Sequence, residues 1–234
     1  MNFLWYPLED IPFIFIVLVL SFSLHEFAHA YSAYKFGDRT AYDAGRVTLN
    51  PRAHIDVFGT ILILLAGFGW AKPVPVNRGR FKHPRLMGII VSAVGPLSNL
   101  LLAVIGILGV LVLNQFGVFE TSSVGVRKAL VHFFYYLINI NAILLVFNLI
   151  PLPPLDGYRI IQDLVPLRIR YRMDMNEQWG FFIFLLLVFI PPLNAVTIAP
   201  LYAQATEFVW GIRDSLAPMF DPVDWDQFVR DFAT

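Results

Sequence analysis

Cysteine is absent from the 234 residues, which excludes disulfides, thiolate metal ligands and cysteine nucleophiles. Charge is also scarce: 15% of the chain is Asp, Glu, Lys or Arg, with 17 basic residues against 17 acidic ones. No basic run interleaved with aromatic residues occurs, so nothing points to nucleic acid as a partner. Internal repeats and low-complexity tracts are missing too. Glu9 and Asp10, rather than basic residues, precede the first apolar stretch, so no cleavable signal peptide is expected. What the chain does have is apolar surface. It is 57% hydrophobic with a mean hydropathy of +0.64, too apolar for a soluble domain, and the expected surroundings are a lipid bilayer.

Apolar segments cover residues 11–34, 57–70, 87–113, 129–150 and 179 to about 199. Only the second is too short to cross, and Gly67 and Gly69 weaken it further as a helix, so it reads as re-entrant or buried. Basic residues concentrate in 35–56, 71–86 and 151–178, whereas the tail from 200 has two against six acids. By the positive-inside rule the three basic stretches are cytoplasmic and the N-terminus is external. The expected fold is an all-α polytopic membrane protein. It has about four transmembrane helices, a re-entrant segment and a small cytoplasm-facing β-sheet. The sheet is expected from residues 46–50, which alternate polar with apolar, and from 72–77, where valines alternate with prolines as on an edge strand. Residues 1–199, with a core at 11–160, form the membrane domain, and 200–234 read as an interfacial helix and tail.

Within the first apolar stretch lies HEFAH, residues 25–29. Ionisable side chains at such depth are costly and mark function. On a helix His25 and His29 lie about 40° apart around the axis and one turn along it, so both imidazoles reach one ion. Glu26, on the adjacent flank, is placed to take a proton from water without occupying a coordination position. Amide hydrolysis at neutral pH needs activated water, and Zn²⁺ with a nearby carboxylate supplies it. Chance occurrence of so short a motif is the bland alternative, and its position inside a span argues against it.

A catalytic zinc site needs a third protein ligand. Asp156 is the best candidate, in NLIPLPPLDG at 148–157, where three prolines stop the helix among otherwise apolar residues. Non-helical backbone at this depth is tolerated only when it is buried or lines a cavity. The alternative for Asp156 and Gly157 is an ordinary turn or cap at the membrane surface. His54 and Asp56 compete as ligands, but fall in a basic loop and read as surface or supporting residues. His83 and His132 read as bystanders.

The combination of HEFAH with NLIPLPPLDG resembles the site-2 protease family of intramembrane zinc metalloproteases. Residues 45–51 (GRVTLNP), 68–77 (FGWAKPVPVN) and 95–99 (GPLSN) resemble its compact prokaryotic members. The similarity spans residues of about 21 to 160. It implies zinc held by His25, His29 and Asp156, with Glu26 as catalytic base. It further implies that Asn148 lies near the metal in an oxyanion-type role, an interhelical amide bond being the alternative. For Asn99 the same pair of readings applies, with packing favoured. Many relatives carry an inserted PDZ domain, for which no stretch here is suited.

The expected function is therefore intramembrane proteolysis by a zinc metalloendopeptidase. Its substrate would be a transmembrane protein, its location a prokaryotic plasma membrane, and its active site would face the cytoplasm. A metal-transporting or metal-sensing membrane protein is the alternative, but it predicts polar relays along several spans and has no need of a base beside two ligands.

Overall fold

The computed structural model describes residues 6–66 and 69–233; residues 1–5, 67–68 and 234 lie outside it. Helices follow in the order α1 (Ile11–Lys35), α2 (Thr40–Asp43), α3 (Val57–Ala66), α4 (Pro84–Gln115), α5 (Val118–Thr121) and α6 (Val124–Asn148). The chain then continues through α7 (Asp156–Leu164), α8 (Leu167–Phe189), α9 (Pro191–Val196), α10 (Ile198–Leu216) and α11 (Trp225–Ala233).

Three of these, α1, α4 and α6, are long and apolar enough to cross a membrane. They pack on one another through two layers of branched side chains. Ile14, Val17, Leu18 and Phe22 of α1 meet Tyr136 and Leu137 of α6, with Ile63 of α3 joining them. Ala103, Ile107, Val110 and Leu111 of α4 meet Val131, Ile138 and Ala142 of α6, closed off by Val209 and Phe228. Apolar residues on the opposite faces, such as Ile16 and Leu20 on α1 and Leu97, Leu101 and Ile105 on α4, are exposed, as lipid contact requires. At the start of α1, Asp10 is buried and bound by His132 Nδ1 at 2.6 Å and by the Tyr136 hydroxyl at 2.8 Å. His132, expected to be a bystander, thus ties α6 to the head of α1.

Two expectations are overturned. The apolar run 179–199 is not a fourth membrane helix. Pro191 and Pro192 cannot continue a helix, so the run divides among the end of α8, α9 and the first residues of α10, while the first half of α8 carries Arg168, Arg170, Arg172, Asp174 and Glu177. α10 packs instead on α6, bringing Tyr202 beside Phe147 and Val209 beside the core at Val131 and Ile138.

Nor is there a sheet: no strand occurs among the described residues. Backbone donors that a sheet would need are missing or already used in both stretches. Pro73 and Pro75 have no N–H. Lys72 donates its N–H to the His54 carbonyl at 2.8 Å, Val74 to Glu26 Oε2 at 2.9 Å and Asn77 to Asp38 Oδ2 at 2.6 Å. In 46–50 the Thr48 carbonyl takes His54 Nε2 at 2.7 Å, and the Asn50 N–H goes to Thr48 Oγ1 at 3.1 Å. Residues 72–77 are an extended strap held by carboxylates, not a strand held by a neighbour. The Lys72 to His54 bond also shows that the chain, after α3, returns to the level at which α3 began.

Candidate metal centre

Helix α1 presents His25, Glu26 and His29 as foreseen, all three buried at 7 to 8% exposure. Helix α6 ends at Asn148, and prolines 151, 153 and 154 turn the chain so that Asp156 becomes the first residue of α7. Its Oδ2 lies 3.2 Å from Nε2 of His25 and 3.2 Å from Nε2 of His29, and the two Nε2 atoms are 3.0 Å apart. A histidine pair on one helix and an aspartate distant from it in sequence therefore converge on one point.

The hydrogen bonds behind the histidines fix what those atoms are. His29 Nδ1 faces the Val91 carbonyl of α4 at 2.6 Å, and a carbonyl can only accept, so Nδ1 carries the proton. For His25 the same conclusion comes through a relay. Asn141 Nδ2 on α6 donates to the Leu137 carbonyl at 2.8 Å, which turns Asn141 Oδ1 toward Asn99 Nδ2 at 2.9 Å. Asn99 Oδ1 on α4 is then left to accept from His25 Nδ1 at 2.8 Å. In the neutral imidazoles both Nε2 atoms are consequently bare lone pairs, aimed at each other and at a carboxylate oxygen.

Such an arrangement repels itself unless a cation or a proton lies between. Asp156 Oδ2 is buried without a hydrogen-bond partner, as an atom reserved for a metal is. Separations of 3.0 to 3.2 Å approach the edge of about 3.4 Å expected of a tetrahedral ion with bonds of about 2.1 Å, so the residues fit zinc. Gly95 makes the approach possible, since a Cβ there would stand 2.3 Å from His29 Nε2 and 2.8 Å from His25 Cε1.

Glu26 accepts the Val74 N–H, which holds its carboxylate toward a cavity of about 720 Å³ that the three ligating side chains also line. Phe22, Leu144 and Phe147 form an apolar part of the wall, and Arg78, Arg159, Arg170 and Asp174 a polar one. Asn148 lines the cavity as well, its Nδ2 bonded to the Leu144 carbonyl of its own helix at 2.9 Å.

The competing ligands stand elsewhere. His54 is fully buried on the Thr48 carbonyl, and Asp56 Oδ1 accepts the Gly59 N–H at 2.8 Å at the head of α3. His83 is exposed. Sequence reasoning missed Asn141 and Val74. Asn141 did leave a trace, a lone amide in an apolar run, seven residues before Asn148 and so on the same face of α6.

Three apolar helices enclosing a two-histidine, one-carboxylate centre with a free glutamate beside it define a membrane protein with a hydrolytic type of metal site. The chain belongs to peptidase family M50, which it matches over residues 13–191. It is 49% identical over 222 residues to "Putative zinc metalloprotease YwhC" of Bacillus subtilis (strain 168), covering 95% of this chain and 97% of that protein. It is 31% identical over 181 residues to "Putative zinc metalloprotease Rip2" of Mycolicibacterium smegmatis, covering 75% of this chain and 66% of that one. The Rip2 protein of Mycobacterium tuberculosis (strain ATCC 25618 / H37Rv) is 27% identical over 183 residues, with the same coverage. No solved structure matches the chain. The resemblance to site-2 proteases is therefore borne out.

Proposed function

We propose that this protein is an intramembrane zinc endopeptidase that holds its ion with His25, His29 and Asp156, uses Glu26 as general base, and cuts membrane-spanning segments of other proteins. One observation carries the reading: two imidazole lone pairs and an unpartnered carboxylate oxygen converge beside Glu26, inside a bundle of apolar helices. Zinc, when bound, supplies the Lewis acidity that makes water nucleophilic near neutral pH.

This chain's own residues do the remainder. Glu26, steadied by the Val74 N–H through one oxygen, keeps the other available to take the proton of the attacking water and return it to the leaving amine. Asn148, at the cavity wall, is one rotamer change away from offering its amide to the scissile carbonyl, having only a bond to its own helix to give up. A substrate helix hides its amides in its own hydrogen bonds, so it must open locally before it is cut.

The protein crosses the membrane several times. The excess of Lys and Arg in 35–56, 71–86 and 151–178 orients the centre toward the cytoplasm of a prokaryotic plasma membrane. Metal transport is disfavoured because His25, His29 and Asp156 are the one group of candidate metal ligands among the described residues, and transport has no need of a base beside them.

The test is reconstitution in liposomes with a synthetic transmembrane substrate. Cleavage is expected, lost on chelation and restored by added zinc. Chelator-resistant cleavage would overturn the zinc assignment, and zinc flux across the vesicle without cleavage would favour the transporter.

The relay behind His25 carries its own prediction. Asn141→Leu leaves Asn99 free to turn and His25 free to change tautomer, so zinc affinity should fall about 10- to 100-fold with helix content unchanged. Chelator competition measures it, and an unchanged affinity would show that the relay does not orient the ligand.

A further inference from the structure

Seven residues beyond Asp156, on the same helix, lies a second buried carboxylate that the proposed chemistry does not use. The Asp163 side chain is fully buried. Its Oδ2 is 3.2 Å from Arg78 Nε and its Oδ1 accepts from Arg170 Nη1 at 3.0 Å. The two arginines come from different parts of the chain. Arg170 belongs to α8, whereas Arg78 directly follows the strap whose Val74 N–H holds Glu26. Arg78 also reaches Ser92 Oγ on α4 and the Arg159 carbonyl on α7, each at 3.4 Å. One carboxylate thus joins α7, α8 and the strap, with Arg78 bringing in α4.

Burial of this kind is poor value as stabilisation. Desolvating a carboxylate and two guanidinium groups offsets most of the attraction gained, and burial pushes the Asp163 carboxyl above its usual range against the pull of Arg78, Arg170 and Arg159. Arg170 donates a directional hydrogen bond to Oδ1, whereas Arg78 stands against Oδ2 as an ion pair only, Oδ2 taking no hydrogen bond; approached by charge from two sides, the carboxylate and the helix that bears it are held in place. That matters because Asp156 arrives from a proline-broken loop, with no preceding helical turn to hold it. The orientation of the nine-residue α7 as a rigid body decides where Asp156 Oδ2 points.

We propose that Asp163, clamped between Arg78 and Arg170, is a positioning residue for the metal centre: it sets α7 so that Asp156 meets His25 and His29, and through Arg78 it keeps the strap on Glu26. The inference rests on the reading of Asp156 as a zinc ligand.

The test uses the whole chain in detergent or nanodiscs, with zinc affinity from chelator competition and the absorption spectrum of the cobalt-substituted protein, which reports ligand geometry. Asp163→Asn keeps the shape and removes the charge. It is expected to weaken zinc at least about tenfold and to alter the cobalt spectrum. Val131→Ala, a cavity in the core on α6 far from the centre, is the control for lost stability and should change neither. Arg170→Gln, at a less buried partner, should act in the same direction as Asp163→Asn and carries the test if that variant fails to fold.

Zinc affinity within twofold of the wild type with an unaltered cobalt spectrum would overturn the clamp, as would an equal loss in Val131→Ala. Asp156→Ala separates the two ideas. Loss of zinc there but not in the clamp variants refutes only the clamp, whereas wild-type affinity in Asp156→Ala refutes the ligand assignment itself.

Discussion

Asp156→Ala is expected to lower zinc affinity by about three orders of magnitude and to abolish cleavage. Structural zinc sites contribute roughly 10 to 16 kcal/mol in apparent binding free energy, so one of three protein ligands accounts for about 4 kcal/mol, or about a thousandfold. Locally the loss has a further side. His25 and His29 meet through bare Nε2 atoms 3.0 Å apart, and without the carboxylate the ion loses the one anionic ligand of the three, the group that compensates its charge in an apolar surrounding. Asp156→Asn should fall between the wild type and the alanine variant, because an amide oxygen still donates a lone pair but brings no charge. Metal content after dialysis, followed by chelator competition, ranks the three. Full zinc occupancy in Asp156→Ala would require another third ligand. Among the described residues that line the cavity, the remaining acids are Glu26 and Asp174, of which Glu26 adjoins His25 in α1.

The chemistry of this chain was legible because lipid makes ionisable residues conspicuous. HEFAH in an apolar run, and an aspartate after three prolines, stand out against their neighbours in a way they would not on a soluble surface, and the family followed from them. The errors share a cause: composition reports what a segment could do alone, not what its backbone meets. The run 179–199 has the average hydropathy of a span, yet the Pro191–Pro192 pair divides it. Residues 72–77 alternate like a strand, yet the N–H groups of Lys72, Val74 and Asn77 are taken by His54, Glu26 and Asp38. Asp38 shows how completely such a group is committed. It is buried, which alone would raise its carboxyl pKa, and the bonds from Thr40 and Asn77 with the charge of Arg80 still bring it below the usual range. Asn141 could not be assigned from sequence, because its role depends on two partners, Leu137 and Asn99, whose directions only the packed helices determine.

Glu26→Gln should leave zinc bound and remove nearly all activity. Glutamine is isosteric, and its Oε1 can still accept the Val74 N–H, so the strap stays in place and the ligands, none of which touches Glu26, keep their geometry. What is lost is a group able to take a proton. General-base catalysis is worth about 10²- to 10⁴-fold, and the same carboxylate must also deliver the proton to the amine, so the upper part of that range is expected. The contrast with Asp156→Ala gives the pair its force. One variant should lose metal and activity together, the other activity alone, and proteoliposome cleavage measured beside zinc content places each variant in that scheme. Retained cleavage in Glu26→Gln at saturating zinc would mean that the proton is handled elsewhere. Loss of zinc from it would mean that Glu26 contributes to holding the ion, and that the separation of binding from proton transfer drawn from the geometry is wrong.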